Sequence, residues 1–561
     1  MKNNVLDTKD YTVFFVYFII VAAYGLYIYY RKKSKTEDSK DYFLAEGSLT
    51  WWAIGASLIA SNISAEQFIG MSGNGFTMGL AIATYEWMAA VTLIVVAVFF
   101  IPVYLKNKIY TMPQFLSQRY NGTVAMIMAV FWLLLYVVVN LTSILFLGAL
   151  AISSISGISL TACMIFLAIF AVIITLGGMK VIGYTDVIQV FFLILGGLAT
   201  TYLALDLVAE HFGSQGALKG FSYITKQAND HFHMILKQDN PHYISLPGLT
   251  VLIGGMWIVN LNYWGCNQYI TQRALGANLT TARRGLLFAA FLKLLMPLIV
   301  VLPGIAAYVL YRNGHFQQEM MVNGEIIQDK AYPVLLNLLP SGLKGLSFAA
   351  LTAAVVASLA GKANSIATIF TLDIYKKLDP TANEKRQVWI GRLAVVVSML
   401  IAVLIAPHLG IDKKGGFEYI QEYTGFVSPG IFAMFILGFF WKRTTSNAAL
   451  FATIGGFLLS IFFKILPQWI DLKFLGNFGF SKQVLQKDGS MLYEIPFLDR
   501  MGFVFIIAVL GMYIISIMDG KRGIPANGLE IDAKMFKTDN KFAVGALLVL
   551  GIIVALYTIY W

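Results

Sequence analysis

The chain has 561 residues, of which 58% are hydrophobic and 13% are charged, and its mean hydropathy is +0.71. Soluble domains carry about 25% charged residues, so the composition excludes a soluble globular protein and indicates an all-α polytopic membrane protein. The net charge of +11 is explained by basic cytoplasmic loops, and we expect no nucleic-acid partner.

Apolar runs long enough to cross about 30 Å of hydrocarbon recur along the chain. They predict about fourteen transmembrane helices, near residues 11–30, 49–72, 78–104, 124–155, 158–176, 184–205, 247–269, 284–311, 346–375, 388–407, 417–441, 446–466, 500–518 and 543–560. We expect an extra N-terminal helix with a basic cytoplasmic loop (1–48), a first repeat (49–205), an external loop (206–246), a second repeat (247–441) and three further C-terminal helices (442–561).

The distribution of Lys and Arg predicts the orientation of the chain. If both termini lie outside, the basic clusters at 31–35, 283–284 and 442–443 face the cytoplasm, as the positive-inside rule requires. We therefore expect a multi-pass protein of the cell (inner) membrane with external termini. All six histidines then fall in or beside external loops, at positions 211, 231, 233, 242, 315 and 408.

Polar residues interrupt two of the predicted helices. The first interruption lies within residues 57–71 and the second within 257–268. Hydrocarbon cannot satisfy a bare amide or carbonyl, so irregular backbone at membrane depth occurs where protein buries it or where it lines a cavity. Each interruption begins a group of five predicted helices, and corresponding broken segments in two halves indicate a 5+5 inverted-repeat transporter with broken first and sixth core helices.

Five further polar side chains fall at predicted membrane depth, namely Gln67, Glu86, Asn140, Lys293 and Gln421. Together they offer both donors and acceptors, which suits a neutral polyhydroxyl because each hydroxyl both donates and accepts. The alternative is that these groups hold helices together by hydrogen bonds, and Glu86 and Lys293 could simply pair with each other. No nucleophile and base stand together among them, so we do not expect an enzyme.

The sequence resembles the sodium/solute symporter family, and within it the sodium/sugar cotransporters, from about Asp41 to the C-terminus. The likeness is strongest to bacterial sodium/galactose symporters and extends to mammalian sodium/glucose cotransporters. The motifs that carry it are residues 60–73, the glycine pair at 177–178 followed by 185–189, and residues 260–268, 371–375 and 419–425.

This resemblance implies roles for individual residues. It implies sugar contacts from Gln67, Glu86, Asn140, Asn260, Lys293 and Gln421. It makes Tyr263 an inner gate over the sugar and Met71 and Phe417 an outer gate. It assigns sodium to the carbonyls of Ala60, Ile63 and Ala354 and to the Ser358 hydroxyl, with Asp186 on the ion's route to the cytoplasm.

The sequence departs from the family pattern at three positions. Ala89 stands where the galactose symporters have a sugar-contacting serine, and Ala357 stands where a second sodium-binding serine is usual. Lys362 stands one turn beyond Ser358, where relatives have an apolar residue. Since residues i and i+4 share a helix face, we hypothesise that the Lys362 ammonium occupies or electrostatically replaces the sodium site, with Asp186 as its partner. The alternative is a lysine turned toward a water-filled exit path.

The expected function is uptake of a hexose-like sugar of the galactose or glucose type, driven by a sodium gradient through alternating access. Lys362 motivates an alternative, a sodium-independent or proton-coupled sugar carrier, and a non-transporting sugar sensor is a third interpretation. The expected partners are a small-molecule sugar, the sodium ion and the lipid bilayer, with no obligatory protein partner.

Overall fold

The computed structural model describes residues 6–31, 49–176, 178–322, 324–408, 416–486 and 489–561. The predicted basic cytoplasmic loop at 32–35 and the first glycine of the predicted pair at 177–178 lie outside these residues.

The described chain is mostly helical. Its N-terminal half contains the helices Thr8–Arg31, Trp51–Asn62, Glu66–Met71, Ser72–Met78, Gly79–Ala83, Thr84–Val95, Val96–Phe100, Ile101–Lys106, Met112–Arg119, Gly122–Leu134, Leu135–Leu141, Thr142–Ser156, Leu160–Thr175, Gly178–His211, Ala217–Gln227, Thr250–Ile253, Gly255–Gly265 and Gln268–Leu275. Its C-terminal half contains Leu279–Arg312, Ala331–Leu336, Leu343–Thr368, Ile369–Tyr375, Lys376–Leu378, Glu384–Ile405, Gly416–Gly425, Ser428–Phe440, Ser446–Leu450, Phe451–Gly455, Gly456–Ile465, Lys473–Gly476, Phe497–Lys521 and Asn540–Ile559.

Short 3₁₀ turns and two antiparallel hairpins complete the structure. The turns are Asn229–His231, Pro241–Ile244, Gln328–Lys330, Ala406–His408, Leu466–Gln468 and Ala533–Phe536. Met321–Val322 pairs with Glu325–Ile326, and Lys482–Leu485 pairs with Met491–Glu494. Both hairpins fall between predicted membrane helices.

Nine helices in the described part of the chain are long and apolar enough to cross a membrane, or ten if the bent pair Gly416–Gly425 and Ser428–Phe440 is one span. This number is lower than the predicted fourteen in part because several predicted spans are short or interrupted, whereas the predicted span 11–30 corresponds to the 24-residue helix Thr8–Arg31, which is not among the nine. Leu160–Thr175 has 16 residues and Trp51–Asn62 has 12. Glu66–Lys106 is a single helical stretch of 41 residues that holds parts of two predicted spans, with Gly79 in the left-handed region at φ 73° near the start of the second span.

The chain divides into two compact units. The first unit comprises Met1–Glu86, Trp132–His233 and Phe291–Ile420, and the second comprises Trp87–Phe131, Met234–Ala290 and Gln421–Trp561.

The helix Leu343–Thr368 is the core of the first unit. It contacts helices Thr8–Arg31, Trp51–Asn62, Thr142–Ser156, Leu160–Thr175, Gly178–His211 and Glu384–Ile405, and nearly all of its residues are buried. Small residues such as Ala353, Ala354, Ala357 and Ala360 let neighbouring helices approach closely. The buried Asp10 carboxylate accepts the N–H groups of Gly342 and Gly345, at 2.7 and 2.9 Å, and so satisfies donors at the start of this helix.

The second unit is organised around the helix Phe497–Lys521, which contacts Gly255–Gly265, Ser428–Phe440, Ser446–Leu450 and Gly456–Ile465. Within this unit the fully buried Arg119 donates to three carbonyl oxygens, those of Gly438, Trp441 and Thr444, at 2.7, 2.9 and 2.9 Å. These carbonyls lie at and beyond the end of helix Ser428–Phe440, where the last turn leaves acceptors without intrahelical partners.

We expect Arg119→Ala to destabilise the protein strongly, because it removes three hydrogen bonds from a charged donor, each worth about 1.5–3 kcal/mol. The measurement is the thermal unfolding midpoint in detergent, followed by fluorescence-detected size exclusion. Arg443→Ala is the matched control, since Arg443 is exposed. Surface substitutions usually cost under about 0.5 kcal/mol, so this variant should keep the midpoint within about 1 °C of the wild type. Equal midpoints for the two variants would contradict this role of Arg119.

Candidate functional site

The first predicted interruption is a real break in a helix. Helix Trp51–Asn62 ends at Ile63, whose backbone is extended at φ −75° and ψ 104°, and helical structure resumes at Glu66. Within the break, the Gln67 side-chain oxygen accepts from the Ser64 backbone N–H at 3.1 Å. This bond uses the oxygen end of the Gln67 amide, so the NH₂ end is the part of this buried side chain that can donate to a ligand.

The end of the first half-helix faces a hydroxyl on the helix Leu343–Thr368. The Ser358 Oγ lies 3.5 Å from each of the carbonyl oxygens of Ala60, Ser61 and Ile63. These separations are longer than a good O–H···O bond of about 2.5–3.0 Å. A hard cation of calcium size holds oxygen ligands at about 2.3–2.6 Å, so ligands at right angles stand about 3.4 Å apart. Each of the three carbonyl oxygens therefore stands at a distance from the Ser358 Oγ that two ligands of one cation can have.

The structure brings Ala60, Ile63 and Ser358 together, as the resemblance implies. Ala354 lies one helical turn before Ser358 on the same buried helix. The Ser61 carbonyl is an additional oxygen that the sequence analysis did not single out, although Ser61 stands inside the polar run that it identified.

A buried ion pair forms at the predicted substrate residues. The Lys293 Nζ lies 2.5 Å from the Glu86 Oε2, with the lysine 1% and the glutamate 2% exposed. Lys293 also donates to the Asn62 Oδ1. Glu86 and Lys293 therefore do pair with each other, as one alternative predicted. Asn62 is a third member that the sequence analysis missed, and its place in the polar run is the signal that pointed to it.

Lys362 lies against another predicted sugar contact. Its Nζ donates to the Asn140 Oδ1 at 3.2 Å and stands 5.6 Å from the centre of the Tyr136 ring, a distance at which a cation–π attraction acts. The Glu66 carboxylate interacts electrostatically with the same ammonium. Lys362 is 4% exposed, so these groups form the environment that compensates part of the cost of a buried charge.

Asp186 also interacts with the first broken helix. Its Oδ2 accepts the Ser57 hydroxyl at 2.7 Å, and both residues are buried. Ser57 is one turn before Ser61, and the Ser61 hydroxyl in turn donates to the Ser57 carbonyl at 2.6 Å. Asp186 is thus connected by hydrogen bonds to the half-helix that presents the carbonyls of Ala60 and Ile63.

The two residues of the predicted outer gate are buried in the first unit. The Phe417 ring packs edge-on against Tyr85, with centroids 4.9 Å apart, and Met71 is fully buried. Gly70 permits this packing, because a Cβ at position 70 would lie 2.8 Å from the Phe417 backbone nitrogen. The Asp329 carboxylate accepts the Gly416 N–H at 2.9 Å and holds the start of the helix that carries Phe417.

The remaining predicted residues belong to the second unit. Asn260 lies on the helix Gly255–Gly265, and its side chain donates to the Met256 carbonyl at 3.1 Å. Tyr263 packs edge-on against Trp264 with centroids 5.1 Å apart. Gln421 is half-buried. The backbone is helical throughout residues 255–265 and the helix ends at Cys266, so the second break lies at the end of the predicted polar run and not in its middle.

Two of the five π-helical stretches in the described chain carry predicted sugar contacts. Glu66–Met71 contains Gln67, and Leu135–Leu141 contains Asn140. Such stretches are rare overall, and those that do occur are often found at functional sites. A broken helix, buried polar side chains at membrane depth and many apolar helices together define a membrane transporter.

Comparison with known proteins places this transporter in a family. The sequence model of the sodium:solute symporter family matches residues 42–456. A sodium/glucose cotransporter from Vibrio parahaemolyticus is 45% identical over 568 residues, which cover 99% of this chain and 99% of that protein. The human sodium/myo-inositol cotransporter 2 is 34% identical over 478 residues, covering 81% of this chain and 70% of that protein.

A solved Na⁺-coupled sialic acid symporter shares the fold, with a TM-score of 0.74 at 21% identity over 91% of this chain and 98% of that one. The chain belongs to the sodium:solute symporter family, a family of sodium-coupled solute symporters, and is a multi-pass membrane protein.

The ion pair provides a test of the site. Neutralising one partner, as in Glu86→Gln or Lys293→Met, leaves an uncompensated buried charge and should cost about 3–5 kcal/mol of stability. The double variant Glu86→Gln/Lys293→Met should be clearly more stable than either single variant. The measurement is a double-mutant cycle on thermal unfolding in detergent. Additive losses in the double variant would contradict a direct pair.

Proposed function

We propose that this protein takes up a hexose-like sugar of the galactose or glucose type, driven by a sodium gradient through alternating access. The observation that carries this proposal is the cluster of the Ser358 hydroxyl and the carbonyls of Ala60, Ser61 and Ile63, each carbonyl oxygen 3.5 Å from the hydroxyl oxygen. The names of the glucose and myo-inositol cotransporters among its relatives support a polyhydroxylated substrate.

In this proposal sodium binds the carbonyls of Ala60, Ile63 and Ala354 and the Ser358 hydroxyl. The bound ion connects the first broken helix to the helix Leu343–Thr368, because it takes ligands from both. Fixing these two elements orders the residues that follow the break, among them Gln67 and Met71. The ion then leaves toward the cytoplasm along a route that includes Asp186.

The proposed sugar contacts are Gln67, Glu86, Asn140, Asn260, Lys293 and Gln421. Glu86 offers an acceptor and Lys293 a donor, and their charges strengthen the hydrogen bonds that they form. The side-chain amides supply both donors and acceptors. Ala89 gives no hydroxyl to the sugar, so a sugar that needs this partner is disfavoured. Tyr263 closes the site toward the cytoplasm, and Met71 and Phe417 close it toward the outside.

The proposed architecture is a 5+5 inverted repeat formed by residues 49–205 and 247–441, within about fourteen transmembrane helices. The break at Ile63 and the end of the helix Gly255–Gly265 at Cys266 support this division, since they interrupt the first helix of each half. The proposed location is the cell (inner) membrane with both termini outside. Neither enzymatic activity nor an obligatory protein partner is part of this proposal.

We expect Ser358→Ala to raise the sodium concentration that gives half-maximal sugar uptake by about tenfold or more, since one ligand to a charged group is worth about 1.5–3 kcal/mol. The measurement is the initial rate of uptake of labelled galactose, glucose and myo-inositol into proteoliposomes over a range of sodium concentrations. Ser398→Ala, which removes another buried hydroxyl of the first unit, is the matched control. An unchanged sodium dependence in Ser358→Ala would contradict the proposed ion site.

The position of Lys362 favours a second candidate function, a sugar carrier that is sodium-independent or coupled to protons. Lys362 is one turn beyond Ser358 on the same buried helix and places a positive charge near Glu66, at the break. An ammonium there can supply the positive charge that an ion would otherwise bring. The ammonium donates a hydrogen bond to Asn140, which links this charge to a proposed sugar contact.

The two candidates differ in what Lys362→Met does. If the ammonium replaces sodium, the wild type takes up sugar without a sodium gradient, and Lys362→Met loses that uptake or becomes sodium-dependent. Uptake into proteoliposomes is measured with sodium, potassium and proton gradients, with Lys377→Met at the exposed end of the same helical stretch as the control. Strong sodium dependence of the wild type that is unchanged in Lys362→Met would eliminate the second candidate.

A further inference from the structure

A pair of histidines lies outside the proposed transport site. His211 is the last residue of helix Gly178–His211, and His315 follows the end of helix Leu279–Arg312 by three residues. The His211 Nδ1 and the His315 Nε2 are 3.2 Å apart, and the ring planes are inclined by 77°. Both residues belong to the first unit. They are accessible, since His211 is exposed and His315 is half-buried.

The separation of the two nitrogens matches the geometry of a metal site. Zinc binds histidine nitrogens at about 2.0–2.1 Å in tetrahedral geometry, so two nitrogen ligands of one ion stand about 3.3 Å apart. A hydrogen bond also fits this distance, but it requires one ring to keep a proton between the nitrogens. A neutral imidazole can carry its proton on either nitrogen, so tautomers exist in which the His211 Nδ1 and the His315 Nε2 both carry a lone pair.

The backbone holds His315 in this position. The His315 N–H donates to the Leu310 carbonyl at 3.0 Å, and the Gln317 side chain donates to the Tyr311 carbonyl at 2.7 Å. Phe316 has a φ of 58°, a left-handed conformation that is unfavourable for a bulky side chain. Such strain persists where the surrounding structure imposes it, and it is concentrated at functional positions.

The chemistry of the two ligands limits the kind of ion. Imidazole nitrogens suit Zn²⁺, Cu²⁺ and Ni²⁺, whereas Ca²⁺ and Mg²⁺ require oxygen ligands. In the part of the chain that the structure describes, no group of three or more His, Cys, Asp or Glu residues is arranged to hold a metal ion.

We propose that His211 and His315 form a binding site for a divalent transition-metal ion such as Zn²⁺ or Cu²⁺. The ion ties the end of helix Gly178–His211 to the turn after helix Leu279–Arg312. The first of these helices carries Asp186 and the second carries Lys293, so the ion joins the far ends of two helices that contribute to the proposed transport site. This proposal rests on the histidine geometry alone and does not depend on the identity of the transported sugar.

The test uses the full-length protein in detergent, without a polyhistidine tag, at pH 7.5. Isothermal titration with Zn²⁺ should show one ion per chain. Loss of a supporting group at a metal site typically weakens binding about tenfold or more. His211→Gln and His315→Gln, which each remove a proposed ligand, should therefore weaken binding by at least that factor. Glutamine keeps a hydrogen-bonding side chain of similar size but supplies no imidazole ligand. His408→Gln, at an exposed histidine elsewhere in the same unit, should bind as the wild type does.

A spectroscopic measurement on the wild type makes the result independent of how well the variants fold. Electron paramagnetic resonance of protein loaded with one equivalent of Cu²⁺ should show splitting from two nitrogen ligands, reduced to one in either glutamine variant. Absence of stoichiometric Zn²⁺ binding in the wild type would overturn the proposal. Binding of equal strength in the two glutamine variants and the wild type would overturn it as well, and would leave the pair as a hydrogen bond only.

Discussion

The structure of the first unit depends on how an interrupted helix is satisfied inside an apolar protein. Helix Trp51–Asn62 stops in the middle of buried sequence, and its last carbonyls have no continuing turn to bond to. Water is not available to replace the lost bonds at that depth. The Ser358 hydroxyl, the Gln67 side chain and the Ser64 hydroxyl surround the break. The helix Leu343–Thr368 has to be buried and closely packed because it brings Ser358 to this point.

Charge at membrane depth is the second constraint on the site. Lys293 is compensated by Glu86 and by the Asn62 side chain. The partners of Lys362 include an amide oxygen, an aromatic face and the Glu66 carboxylate. A buried charge is tolerated only with partners. Replacing one of these neighbouring side chains would therefore be as unfavourable as leaving its lysine without a partner. The proposed substrate site therefore contains groups that already satisfy one another, and a ligand there must offer hydrogen bonds that are at least as good.

Much of this arrangement could be predicted from the sequence, because charged and polar residues in apolar segments need partners. The break near Ser64 was predicted from residue types, and the pairing of Glu86 with Lys293 was one of two alternatives. The direction of the Lys362 side chain could not be predicted, since helical spacing gives a face but not the reach of a long side chain to Asn140 on another helix. The role of Asn62 could not be predicted because it is one of several polar residues in the same run, and residue types alone do not say which of them contacts Lys293. The second interruption was predicted only as the run 257–268, and its exact position at Cys266 could not be predicted because Asn260 and Asn262 are accommodated in a regular helix.

The π-helical stretches have a further consequence for how this chain tolerates changes in length. A π-helical turn holds one more residue than an α-helical turn, and each residue in an α-helix turns the following side chains by about 100°. Deleting one residue within Leu135–Leu141 would turn the π turn into an α turn and leave the two flanking segments close to their present orientation, because the π turn absorbs the extra residue. The change would fall on the turn that carries Asn140, whereas the buried residues of Thr142–Ser156 would keep their neighbours. A single-residue insertion or deletion at a π turn is thus a route of divergence that leaves the packing on either side in place.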